Sequence, residues 1–137
     1  MVNRIGQMLF TLVLVALLLA GCTIIEDRTQ KEKDIDFTVL PEQEIPKPLL
    51  EKIKQKQDNV FKMTYSDDNY LYICVGYGAQ ETGGYSVTVD ELYLTANAIY
   101  INTSLLAPDE KLNRKGMVSY PYICVKMEYI DKTVVFE

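Results

Sequence analysis

The sequence predicts a mainly β domain, a small antiparallel sandwich or open barrel, with one short helix on its N-terminal side. Three observations carry this. From residue 60 onward, short runs alternate apolar and polar residues in the strand period. Turn-forming clusters such as Ser66-Asp67-Asp68-Asn69 and Thr95-Ala96-Asn97 separate those runs. Only one stretch, 48–57, repeats apolar residues at helical spacing. Seven strand candidates and one helix in 137 residues make a single domain.

In chain order, residues 1–21 read as an address. Arg4 and the α-amine give a positive start, and Met8 to Ala20 form an apolar run broken only by Thr11. That run is short of the roughly 20 apolar residues a membrane-spanning helix needs. It ends in Leu19-Ala20-Gly21-Cys22, which resembles the bacterial lipobox. The resemblance implies a lipoprotein signal peptide over 1–21, cleavage before Cys22, and acylation of Cys22 with diacylglycerol and palmitate-type chains. Each buried CH₂ contributes about 0.8 kcal/mol, so two or three chains hold a protein on a bilayer. The expected location is the cell membrane, lipid-anchored, facing outside the cytoplasm. Loss of Arg4 takes the formal charge from −5 to −6.

The charge-rich segment 22–34 predicts a flexible, lipidated tether reaching roughly 19 Å, with the single domain filling 35–137. Ile35, Phe37 and Val39 alternate as a short strand. Leu49, Leu50 and Ile53 share one face of the helix over 48–57, with Pro48 in its first turn; strand and helix together occupy 35–58, and the β core 59–137. Phe61, Met63 and Tyr65 give the next strand. Residues 70–76 are apolar on both faces, as in a central strand. Residues 85–94 and 98–106 follow, joined by a hairpin turn expected to hold Asn97 left-handed. The polar stretch 107–118 reads as a loop. Strands over 120–128 and 133–136 complete the domain, and Pro121 predicts an edge or a bulge there.

The chain has no histidine, which removes the serine–histidine and cysteine–histidine arrangements and histidine metal sites. A net charge of −5 disfavours nucleic acid. Ser86, Ser104, Asp90 and Glu91 lack a base to serve them, and Asp109-Glu110 reads as a solvated loop. The expectation is a protein that is not an enzyme, with no cofactor and no metal. Most of the ten tyrosines read as structural strand residues, with Tyr77, Tyr85 and Tyr120 set apart beside loops. Cys74 and Cys124 both lie in Tyr-Ile-Cys-Val. A pair in an export compartment invites a disulfide, whereas apolar strand positions suit two free, hydrophobic thiols. Bonding requires neighbouring strands and a shared interior.

Residues 76–87 read Gly-Tyr-Gly-Ala-Gln-Glu-Thr-Gly-Gly-Tyr-Ser-Val, a glycine-rich β–β connection without a P-loop lysine. Thr82-Gly83-Gly84-Tyr85-Ser86-Val87, the hydrophobic strand before it, and Tyr120-Pro121-Tyr122-Ile123-Cys124-Val125-Lys126 resemble the PrcB family of protease-complex subunit lipoproteins. The resemblance spans roughly 60–128; Glu81 stands where the family usually has proline. It implies a non-catalytic lipoprotein that associates with and stabilises or regulates an exported, subtilisin-like protease. Thr82, Gly83, Gly84, Tyr85 and Tyr120 would then touch the partner. The competing expectation is an envelope lipoprotein that binds or senses a small ligand on its tyrosine-rich sheet.

Overall fold

Two four-stranded sheets and a helix stack in three layers. The computed structural model describes residues 4–7, 30–110 and 114–137. The expected signal peptide beyond residues 4–7, the expected lipidation site Cys22, and the expected tether up to residue 29 lie outside them. The elements are β1 (Lys33–Asp34), β2 (Thr38–Val39), a 3-10 turn (Glu42–Glu44), α1 (Lys47–Lys56), β3 (Val60–Ser66), β4 (Tyr70–Tyr77), β5 (Gln80–Gly83), β6 (Ser86–Leu94), β7 (Ala98–Leu106), β8 (Arg114–Ser119), β9 (Tyr122–Glu128) and β10 (Thr133–Phe136). One sheet is ordered β1-β6-β7-β10 and the other β2-β9-β4-β3, while β5 and β8 form a separate two-stranded ribbon. This is the sandwich of the two expected architectures.

Most of the domain is one long hairpin. β4 pairs with β9, β5 with β8 and β6 with β7, all antiparallel and nested one inside the next. The chain from 70 to 94 therefore runs out against the chain from 98 to 128 coming back. The hairpin is creased at β5–β8, so its open half lies in one sheet and its closed half in the other. Residues 71, 73 and 75 of β4 and 123, 125 and 127 of β9 meet Leu92, Leu94, Ile99 and Ile101 of β6 and β7 between the sheets. Each such side chain, fully buried, contributes about 1.5–3 kcal/mol.

The opposite face of β4 and β9 carries Tyr72, Cys74 and Cys124, which pack with Phe61 of β3 and with Leu49 and Ile53 of α1. A strand sandwiched between two apolar layers must be apolar on both faces, as residues 70–76 are. α1 begins one residue before the expected start, with Pro48 in its first turn and no side-chain cap. Phe61 lies directly across from Gly76, and a Cβ at Gly76 would run into its ring. The aromatic ring thus fills the space the glycine leaves.

Several expectations are corrected. Asn97 is not left-handed: no non-glycine residue among the described ones has positive φ. Thr95 closes the hairpin instead, its buried hydroxyl accepting from the Asn97 and Ala98 N–H groups and donating to the Ala98 carbonyl. Pro121 precedes β9, which is an inner strand between β2 and β4; no bulge is needed because the proline lies outside the pairing. The end of the polar 107–118 stretch is strand β8, and the glycine-rich connection contains strand β5. The expected tether is held at Lys33 and Asp34, which pair with Leu94 and Tyr93. The expected strand over 35–39 divides, because Ile35 donates to Leu92 in one sheet whereas Thr38-Val39 pair with β9 in the other. β10 joins β7 in parallel, the exception to the antiparallel pattern.

Candidate partner-docking ribbon

The crease begins where β4 leaves its sheet. Gly78 has φ +76°, and its Cβ position faces the backbone of Asn59 and Val60 at 3.2 Å, so the chain can turn there only without a side chain. The Ala79 N–H donates to the Asp58 carbonyl at 3.2 Å, fastening the exit to the end of the α1–β3 turn. Tyr77 anchors the same point on two sides. Its N–H donates to the Pro121 carbonyl at 3.0 Å, and its hydroxyl shares a 2.7 Å hydrogen bond with the Thr103 hydroxyl of β7. The Gln80 amide donates back to the Tyr77 carbonyl at 3.2 Å.

Gln80 then pairs with Ser119, Thr82 with Lys115 and Gly83 with Arg114, across an irregularity between Gln80 and Thr82. The Ser119 hydroxyl donates to the Thr82 carbonyl at 2.6 Å. At the far end Gly84 adopts φ +90° and swings the chain into β6, whose first residue, Ser86, pairs with Leu106 at the end of β7. Each end of the ribbon is thus rooted in a different sheet, which fixes its position.

The surface this leaves is apolar where a covered strand would alternate. Successive residues Met117 and Val118 are 57% and 58% exposed, and Leu106 (47%) and Tyr120 (37%) lie at the two ends. Of the five candidate contact residues, Thr82 and Gly83 lie within β5, Gly84 is exposed at its end, and half-buried Tyr85 follows. Tyr120 is at the opposite, β9 end, next to Ser119. The fold therefore brings all five to one ribbon but spreads them along it, with Tyr85 and Tyr120 at opposite ends. Leu106 ends the strand expected over 98–106, whereas Met117 and Val118 fall in the stretch expected as a loop; two adjacent apolar residues within it are the signal of β8.

Other candidates are absorbed by structure. Ser104 donates to Asp90, and Thr88 donates to the same carboxylate at 3.2 Å. Asp90 sits at the register irregularity between Val89 and Glu91, so this exposed cluster ties a bulge. Tyr93 and Tyr100 stack at 5.2 Å as a cross-strand pair, with the Tyr93 hydroxyl donating to Glu137. Tyr65 packs on Tyr72, and the Lys126 ammonium lies 3.9 Å from the Tyr70 ring centre. Among the described residues no group of three or more acidic or cysteine side chains could hold a metal ion. No helix among them is long and apolar enough to cross a membrane.

Residues 71–128 match the family model described as PrcB C-terminal. Over this segment the chain is similar to the PrcB C-terminal domain. The match begins in β4 and ends with β9, so it covers the creased hairpin almost residue for residue. Both strands of the ribbon lie within the matched segment. No curated protein and no solved structure matches the chain.

Proposed function

We propose that this protein is a non-catalytic accessory subunit that associates with an exported, subtilisin-like protease and stabilises or regulates it. In this reading Cys22 carries the lipid anchor, and the domain faces outward from the cell membrane. The observation that supports it best is the PrcB C-terminal match, which points to a protease-complex subunit and coincides with a hairpin whose crease is an uncovered, partly apolar ribbon.

The docking role follows from the ribbon's mechanics. A two-stranded ribbon held at both ends presents its residues in a fixed geometry, so little conformational entropy is lost when a partner closes on it. Met117, Val118 and Leu106 supply apolar contact, and Tyr120 adds a rigid amphipathic ring of the kind that anchors interfaces. Gly84, exposed, lets a partner approach the backbone closely. Several strand tyrosines on both sheets are engaged with one another or with a charged neighbour, which favours this reading over a small-ligand platform.

Cross-linking of the tagged full chain in intact membranes, followed by affinity capture and mass spectrometry, tests the partner. Enrichment of a subtilisin-like serine protease is expected. Recovery of the chain without any protease, across growth phases, would contradict the proposal.

A further inference from the structure

Cys74 and Cys124 face each other directly, as opposed residues of the antiparallel pair β4–β9. Both are fully buried thiols on the α1 side of the sheet, with their Sγ atoms 2.9 Å apart. Opposed residues of antiparallel strands have Cα atoms about 4.5–5.5 Å apart. That spacing lies within the roughly 4.4–6.8 Å that disulfides bridge without backbone movement. We propose that Cys74 and Cys124 form a cross-strand disulfide when the chain folds in the presence of a thiol oxidant of the disulfide class.

The step is a two-electron exchange. A Cys74 or Cys124 thiolate attacks the oxidant's disulfide, giving a mixed disulfide and releasing one oxidant thiol. The second cysteine then displaces the other oxidant thiol as the Sγ–Sγ bond forms. Both cysteines lose their protons, and the oxidant leaves as two thiols.

Placement also fixes when this happens. In the folded dithiol, the hydrogen bond with Cys124 and burial push the Cys74 thiol well above its ordinary value, which suppresses the attacking thiolate. Exchange therefore belongs to the folding chain, before α1 closes over the sheet. Once made, the bond closes a loop holding the ribbon, β6 and β7, and so staples the open half of the creased hairpin. Its enclosure under Leu49 and Ile53 keeps reductants away.

The full chain, reduced and unfolded, is refolded in detergent with a mixture of reduced and oxidised glutathione. It is then denatured, treated with a maleimide and mapped by mass spectrometry. With the unprocessed chain, whose Cys22 thiol carries no lipid, the expected product has linked Cys74 and Cys124 peptides, with label or glutathione confined to Cys22. Labelling of both Cys74 and Cys124, or pairing of either with Cys22, would overturn the proposal. A second readout needs no peptide map. Unfolding in the presence of reductant should lower Tm by about 10–20 °C, from the loop-closure entropy of a loop this long. The Cys74→Ala/Cys124→Ala variant should melt at one temperature with or without reductant; a wild-type Tm equally indifferent to reductant would also overturn it.

Discussion

Thr95 shows how one hydroxyl can replace a backbone conformation. The turn between β6 and β7 has none of the positive φ angles of the tightest hairpins, yet it stays closed because the Thr95 side chain satisfies two N–H groups and one carbonyl. The Lys132 ammonium adds a hydrogen bond to the Thr95 carbonyl at 2.9 Å. Replacing Thr95 by valine keeps the volume but strips these partners, leaving buried groups unsatisfied. A loss of about 1–3 kcal/mol in denaturant unfolding is expected, with the slope unchanged. Asp67 does similar work in the β3–β4 turn. Its carboxylate accepts from the Asn69 and Tyr70 N–H groups at 3.0 and 2.7 Å, which holds its pKa below the ordinary 3.8. Because the folded state favours the ionised form, the stabilisation is complete above that ordinary value and fades as pH falls through the lowered one. An NMR titration should place the Asp67 midpoint below 3.8, and in Asp67→Asn that titration and its contribution to acid sensitivity should vanish. None of this was visible in spacing alone: threonine and aspartate announce turns, but not which atoms they bind.

Elements with a buried face were legible, and those without one were not. Leu49 and Ile53 mark α1 because only their face meets the core, and β4 shows apolar residues on both faces because both are covered. β1 is two exposed residues held by backbone pairing, so it left no pattern in the side chains. β5 and β8 escaped for the same reason. Among the described residues no other sheet or helix packs on the ribbon, so no alternation is imposed, and its pairing is set by the strands at each end. The two central glycines divide accordingly. Gly84, at φ +90°, cannot take a side chain without strain, and Gly84→Ala should cost about 1–2 kcal/mol of stability. Gly83 lies in strand backbone without positive φ, so Gly83→Ala adds no backbone strain and should lower Tm less than Gly84→Ala. Measuring both stability and partner capture for the two variants separates turn geometry from contact: loss of capture in folded Gly83→Ala would mark a contact.

At the scale of the molecule, the folded hairpin explains why a glycine-rich segment and a polar segment, distant in sequence, form one ribbon. The crease must lie where both arms leave one sheet for the other, and Thr82-Gly83 on the outward arm and Arg114-Lys115 on the returning arm meet there. The fold class, the helix and the family likeness could be read from the sequence because they rest on local pattern. The register that sets Cys74 against Cys124 and Thr82 against Lys115 could not, since it depends on how many residues each arm spends in the crease. The proposed role of the ribbon is to dock an exported protease. Its most direct test is the affinity of the captured protease for the full chain against the Met117→Asp/Val118→Asp variant, with Tm measured alongside. Both positions are more than half exposed, so Tm should stay within a few degrees while binding weakens by about 30-fold or more, as for an interface hot spot of ~2 kcal/mol. Unchanged affinity in a normally folded variant would contradict the assignment of the ribbon as the docking surface.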